Sequence, residues 1–203
     1  MYFESFTLTK RIKESDIVDD LRESFDKRYD DFEADGTEDL LTEIEKLTAK
    51  IKHKYGCKPL IYMTKILCSG VKATIDWYME NDDRTDRLIS GLNQVLDSGY
   101  IHKNVIPPRF CESSTGNQAL DEAMLVFNLA ADMVQSEPST ECIAELVESC
   151  ILGYALGPIS GEAHPRDIFN WWLCDVIPAS LLGTEPTMIF NMKTEWPKRG
   201  VST

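Results

Sequence analysis

Apolar residues recur at steps of three and four along seven successive segments of this chain, each bounded by glycine, proline or a residue able to cap a helix. That spacing puts about one side chain per turn on the same face of an α-helix, so the chain must bury helical stripes against one another. The broadest stripe follows Pro59, which suits a first helical turn. Leu60, Met63, Leu67, Val71 and Ile75 line it to about Met79, while Ile61, Ile66 and Trp77 widen the apolar surface. A face that broad predicts a central helix. Gly70 inside it costs about 1 kcal/mol relative to alanine, which points to a close helix crossing.

The other segments follow the same logic. From Asp16 to about Phe32, Ile17, Leu21, Phe25 and Tyr29 recur every four positions, with Asp19, Asp20, Glu23 and Asp26 mainly on other faces. Gly36 interrupts, and Thr37 can cap a helix carrying Leu40, Ile44, Leu47 and Ile51. Its early acids (Glu38, Asp39, Glu43) and late bases (Lys50, Lys52, His53, Lys54) both match the helix dipole. Asp82 or Asp83 can cap the helix of Leu88, Leu92, Val95 and Leu96, which Gly99 ends. Asn117 can cap the helix of Leu120, Met124, Phe127 and Ala131, and Ser139 or Thr140 starts another through Ile143, Leu146, Val147, Cys150 and Ile151. Pro165 opens the last, from Arg166 to about Ile177, before Pro178. No strand alternation is convincing, although Met188–Met192 suits an extended segment.

These observations predict an all-α fold of about seven helices in a bundle or a short stack of helical hairpins. At 203 residues, the expectation is a single helical domain spanning 1–203. The stretch 99–116, with Pro107-Pro108, Gly116 and little periodicity, reads as a subdomain boundary or a functional loop. No stretch of about 18 apolar residues exists to span a bilayer, and the first residues lack the basic and apolar regions of a signal peptide. The cysteines Cys57, Cys68, Cys111, Cys142, Cys150 and Cys174 show no paired spacing, which suits reduced thiols in a cytoplasmic protein.

Charge is the strongest functional signal. Residues 14–45 hold fourteen acids and three bases, a net of −11, whereas the remainder nets −2. Such a local field repels phosphate backbones and anionic membranes and attracts basic surfaces. Asp19, Asp20, Glu23, Asp26, Asp30, Asp31, Glu33 and Asp35 are therefore the candidate partner-binding residues.

Within that region, Asp31, Glu33, Asp35 and Asp39 stand at positions one, three, five and nine of a segment with Gly36 at six, a pattern that resembles an EF-hand calcium loop. The resemblance covers this loop alone and implies calcium ligation by those four acids. Thr42 replaces the bidentate glutamate of position twelve, so an acidic loop ending in a helix cap is the favoured reading.

His53, His102 and His164 belong to no zinc-type pattern, and no cysteines are spaced C-x-x-C. His53 suits a helix C-terminus. His102, Arg109 and Cys111 share the long loop, and with His164 they define the enzyme alternative. Gly153-Tyr154-Ala155-Leu156-Gly157 lacks the third glycine and preceding strand of a dinucleotide fingerprint. Ile168-Phe169-Asn170-Trp171-Trp172-Leu173 must be buried on two sides or expose a partner anchor. The function expected is an acidic binding protein without a cofactor, of the immunity-protein or inhibitor kind, directed at a basic toxin such as a nuclease. The alternatives are an enzyme centred on the 99–116 loop and a calcium-binding module. Nothing in the pattern sets the oligomeric state.

Overall fold

The computed structural model of the chain describes residues 38–99, 106–111, 113–136, 138–155, 157 and 165–186. Among these the fold is all-α, with no strand. The elements are α1 (Glu38–Tyr55), α2 (Lys58–Tyr78), α3 (Arg84–Ser98), α4 (Gln118–Gln135), α5 (Thr140–Ala155) and α6 (Pro165–Trp171), then a π-helical segment (Trp172–Val176) and α7 (Ile177–Leu182). The last three run on without a break, so the described residues form six continuous helical rods. The expected Asp16–Phe32 helix and the Met188–Met192 segment lie outside the described residues.

The broad apolar face of α2 explains its position. Leu60, Met63, Leu67, Val71 and Ile75 are all buried, and α2 packs against α1, α3, α4, α5, the π segment and α7. Stripes from the surrounding helices complete one apolar cluster, including Ile44 and Ile51 of α1, Leu88 and Leu92 of α3, Phe127 of α4 and Val147 of α5. Trp77 departs from the expected apolar surface and stands in solvent at 67 % exposure. It lies two residues beyond Ile75, about 200° around the helix at 100° per residue, and so points away from the stripe.

Gly70 also differs from the expectation. A Cβ there would meet the Trp171 ring at 3.6 Å, an ordinary contact. The close crossing is made by Gly153 of α5, where a Cβ would lie 3.0 Å from the Ala123 nitrogen and 3.1 Å from Glu122 Cβ of α4. The absent side chain lets these two helices approach backbone to backbone.

The last rod runs through Pro178, where the sequence predicted a stop. Ile177 N–H bonds to the Trp172 carbonyl, five residues back. This wider turn accommodates the proline, whose ring would otherwise clash with the carbonyl four residues earlier. The rod also settles the double tryptophan: Ile168, Phe169, Trp171, Trp172 and Leu173 are all buried, with Trp171 and Trp172 at 1 % exposure. Trp172 Nε1 donates to Met63 Sδ of α2 at 3.3 Å, and its ring lies 5.8 Å from that of Phe169.

Caps follow the sequence in part. Asn117 Oδ1 accepts from Leu120 N–H at 3.1 Å, and Ser139 Oγ accepts from Cys142 N–H at 3.4 Å. At α3 the capping position belongs to Asp83, whose side chain makes no cap bond. Asp82 instead accepts from Arg84 N–H at 3.0 Å and grips its guanidinium.

Candidate functional site

Asp19, Asp20, Glu23, Asp26, Asp30, Asp31, Glu33 and Asp35 lie outside the described residues, as do His102 and His164. Asp39 falls in the first turn of α1. Among the described residues, no three His, Cys, Asp or Glu side chains gather in a way that could hold a metal ion.

Arg109 and Cys111 do come together. They line a cleft of about 290 Å3 with Ser113, Ser114, Asp121 and Asn128, where the long loop meets α4. The polar groups of this cleft engage one another. Arg109 Nη1 donates to both oxygens of Asp132 at 2.7 and 2.8 Å, and Cys111 Sγ lies 2.8 Å from Ser113 Oγ. Ser114 Oγ donates to Asp121 Oδ2 at 2.7 Å, while Thr115 donates from both its hydroxyl and its N–H to Oδ1 at 2.7 and 2.9 Å. The Ser114 and Thr115 hydrogen bonds hold the Asp121 carboxyl below its ordinary range.

Deeper in, Asn128 Oδ1 accepts from Phe110 N–H at 2.8 Å and Nδ2 donates to the Phe110 carbonyl at 3.3 Å, a two-point clasp that seats the Phe110 ring in the core. Arg84 closes the clasp from α3. Its guanidinium donates to the Arg109 carbonyl at 3.2 Å and stacks 3.8 Å from the Phe110 ring. This arrangement fastens the loop to two helices. Sequence proximity brought out Arg109 and Cys111, while their partners on α4 and α3 have no signal in the spacing.

The thiols of α5 are poor nucleophiles. Burial pushes the Cys150 thiol up to about 12 and the Cys142 thiol up to about 11, where glutamate and aspartate neighbours add to the effect. An apolar cleft of about 800 Å3 opens between the start of α2 and the ends of α3 and α4, walled by Ile61, Val95, Leu96, Ile106, Met133 and Val134.

A corner of exposed aromatic and charged side chains lies at the opposite end of α2. Trp77 and Tyr78 occupy its last turn at 67 and 42 % exposure. Asn81, at φ 66°, turns the chain in the left-handed region that asparagine tolerates, and leads into Asp82 and Asp83. Tyr78, Glu80, Asp83, Arg84, Arg87 and Pro108 line a shallow depression at this turn. Of the surrounding charges, Asp82 is held by Arg84, and Lys72 bridges Asp76 and Asp86. Asp83 acts electrostatically on the neighbouring Arg84, and Glu80 is exposed. The sequence carried a signal for this corner, an aromatic pair off the apolar stripe and followed by acids.

No family model matches the chain, and neither a curated protein nor a solved structure does. No described helix is long and apolar enough to cross a membrane.

Proposed function

We propose that the chain is an acidic helical binding protein that covers the cationic surface of a basic protein, in the manner of an immunity protein or inhibitor that neutralises a toxin such as a nuclease. The observation that carries this reading is the charge distribution. A net of −11 within residues 14–45, against −2 for the rest, concentrates the field on one segment instead of spreading it over the surface. A field of that kind raises the association rate with a cationic face and falls away with salt. The described part of the loop fits the same reading, because Arg109 is engaged by Asp132, and Asp121 and Asn128 of α4 hold the loop in place.

The test is kinetic. Against a panel of basic nucleases, the chain should inhibit at least one stoichiometrically, with an association rate that drops steeply between low and physiological salt. Reversing Asp19, Asp20, Glu23 and Asp26 to lysine should slow association at low salt by about tenfold or more. An association rate unchanged by that reversal would reject the proposal.

A further inference from the structure

The acidic segment has a counterpart of opposite charge within the described fold. We propose that residues 14–35 dock on the lysine-rich turn between α1 and α2, where Lys54 and Lys58 hold them until a more basic partner displaces the contact. The inference rests on the basic-partner reading and adds the regulation of that surface.

Between Glu45 and Asp76 the chain carries seven lysines and no acid, within a total net charge of −13. The fold divides these lysines. Lys46, Lys65 and Lys72 pair with Glu43, Glu185 and Asp76. The other four, Lys50, Lys52, Lys54 and Lys58, stand at the end of α1 and on the first residue of α2, and Lys52 donates to the Pro138 carbonyl at 2.9 Å. Lys54 and Lys58 are exposed, and neither makes an ion pair among the described residues. On neighbouring elements, Asp97 of α3 shares the apolar cleft with Lys58, and Glu141 stands in the first turn of α5. Two acids against four lysines leave the turn net positive.

Charge and reach select the occupant. Residues 14–35 hold ten acids and three bases, a net of −7. The 18 residues of α1 separate its two ends by roughly 27 Å. Asp26 precedes Glu38 by 12 residues and Asp19 precedes it by 19. Fully extended, those connections cover about 40 and 65 Å, and the helix expected over Asp16–Phe32 spans about 25 Å, so either form can return along α1 to the turn. A tether this short gives the chain's own acids an effective concentration of roughly millimolar, which favours them over those of a second copy. Exposed ion pairs are individually weak, which keeps the contact displaceable.

The experiment treats the full chain, at low protein concentration, with a water-soluble carbodiimide, which joins a lysine amine to a carboxylate held against it. Mass spectrometry of the monomer should find cross-links from Lys54 and Lys58 to acids within 14–35, and these should fade at about 0.5 M salt. Calorimetry with a nona-arginine peptide supplies the second measurement. Lys54→Gln combined with Lys58→Gln releases the acids and should tighten peptide binding about three- to tenfold. The same charge change at Lys65 and Lys72 should give a smaller gain. Equal gains from the two pairs, or cross-links confined to dimers, would overturn the docking. Peptide binding through Asp19, Asp20, Glu23 and Asp26 without any such cross-link would overturn it too, and leave the basic-partner reading standing. Cross-links in a chain that does not bind the peptide would uphold the docking and reject that reading.

Discussion

Two aromatic pairs sit in this molecule under opposite conditions. Trp171 and Trp172 are sealed in the last rod at 1 % exposure, whereas Trp77 and Tyr78 at the end of α2 are 67 and 42 % exposed. Adjacent residues on a helix point about 100° apart, so burying both members of a doublet takes neighbours on two sides. The last rod has them: the π segment packs on α2, and α6 packs on α5. Among the described residues the end of α2 has no such second cover, because the chain turns at Asn81 and leaves as α3. The same residue types therefore perform packing in one place and present a surface in the other, and helical neighbours decide which.

The largest effect should come from emptying the buried pair. Trp172→Ala removes a ring packed on Phe169 and the Nε1 donor to Met63, leaving a cavity between the last rod and α2. The expected loss is about 3–5 kcal/mol, read as a fall in the urea midpoint. A loss below about 1 kcal/mol would mean that the rod is less tightly joined to α2 than its geometry states.

Asp175 makes a smaller, pH-dependent contribution on the same rod. It lies in the π segment at 5 % exposure, and burial pushes its carboxyl up to about 7. The folded state therefore holds this proton more tightly than the unfolded chain, where an aspartate titrates near 4. The carboxyl's contribution to stability is fully present below about pH 4 and is lost as pH rises to about 7, after which it is constant. Asp175→Asn removes that slope. Relative to the wild type, the variant should gain on the order of 2 kcal/mol between pH 4 and pH 7. Parallel denaturation midpoints across that range would show that the carboxyl titrates alike in the folded and unfolded states, and would detach burial from charge in this rod.

How much of this was legible in the sequence depends on whether the relevant chemistry is periodic. Stripes such as Leu60, Met63, Leu67, Val71 and Ile75 repeat, so the described rods and the central place of α2 could be read from spacing. Trp77 is apolar and so reads as part of that surface, although its angle from Ile75 turns it away. The passage of the last rod through Pro178 was not legible, because the wide turn that permits it leaves no spacing of its own. The loop showed Arg109 and Cys111, but Asp132 and Asn128 reach it from α4 and meet it only in the fold. The sequence points to Gly70 for the close crossing that Gly153 makes, since a lone glycine carries no mark of what faces it.

The smallest effect on stability should come from the exposed pair, and its smallness matters. Trp77→Ala deletes a large aromatic side chain, yet the ring belongs to no buried cluster of the described residues. The unfolding free energy should stay within about 0.5 kcal/mol of the wild type, the range of surface substitutions away from special features. A loss of 2 kcal/mol or more would place the ring under cover and equate it with Trp172, removing the contrast between the pairs. If stability is unchanged, the contrast holds: the buried pair fastens the last rod, while the helices around Trp77 stand without its ring.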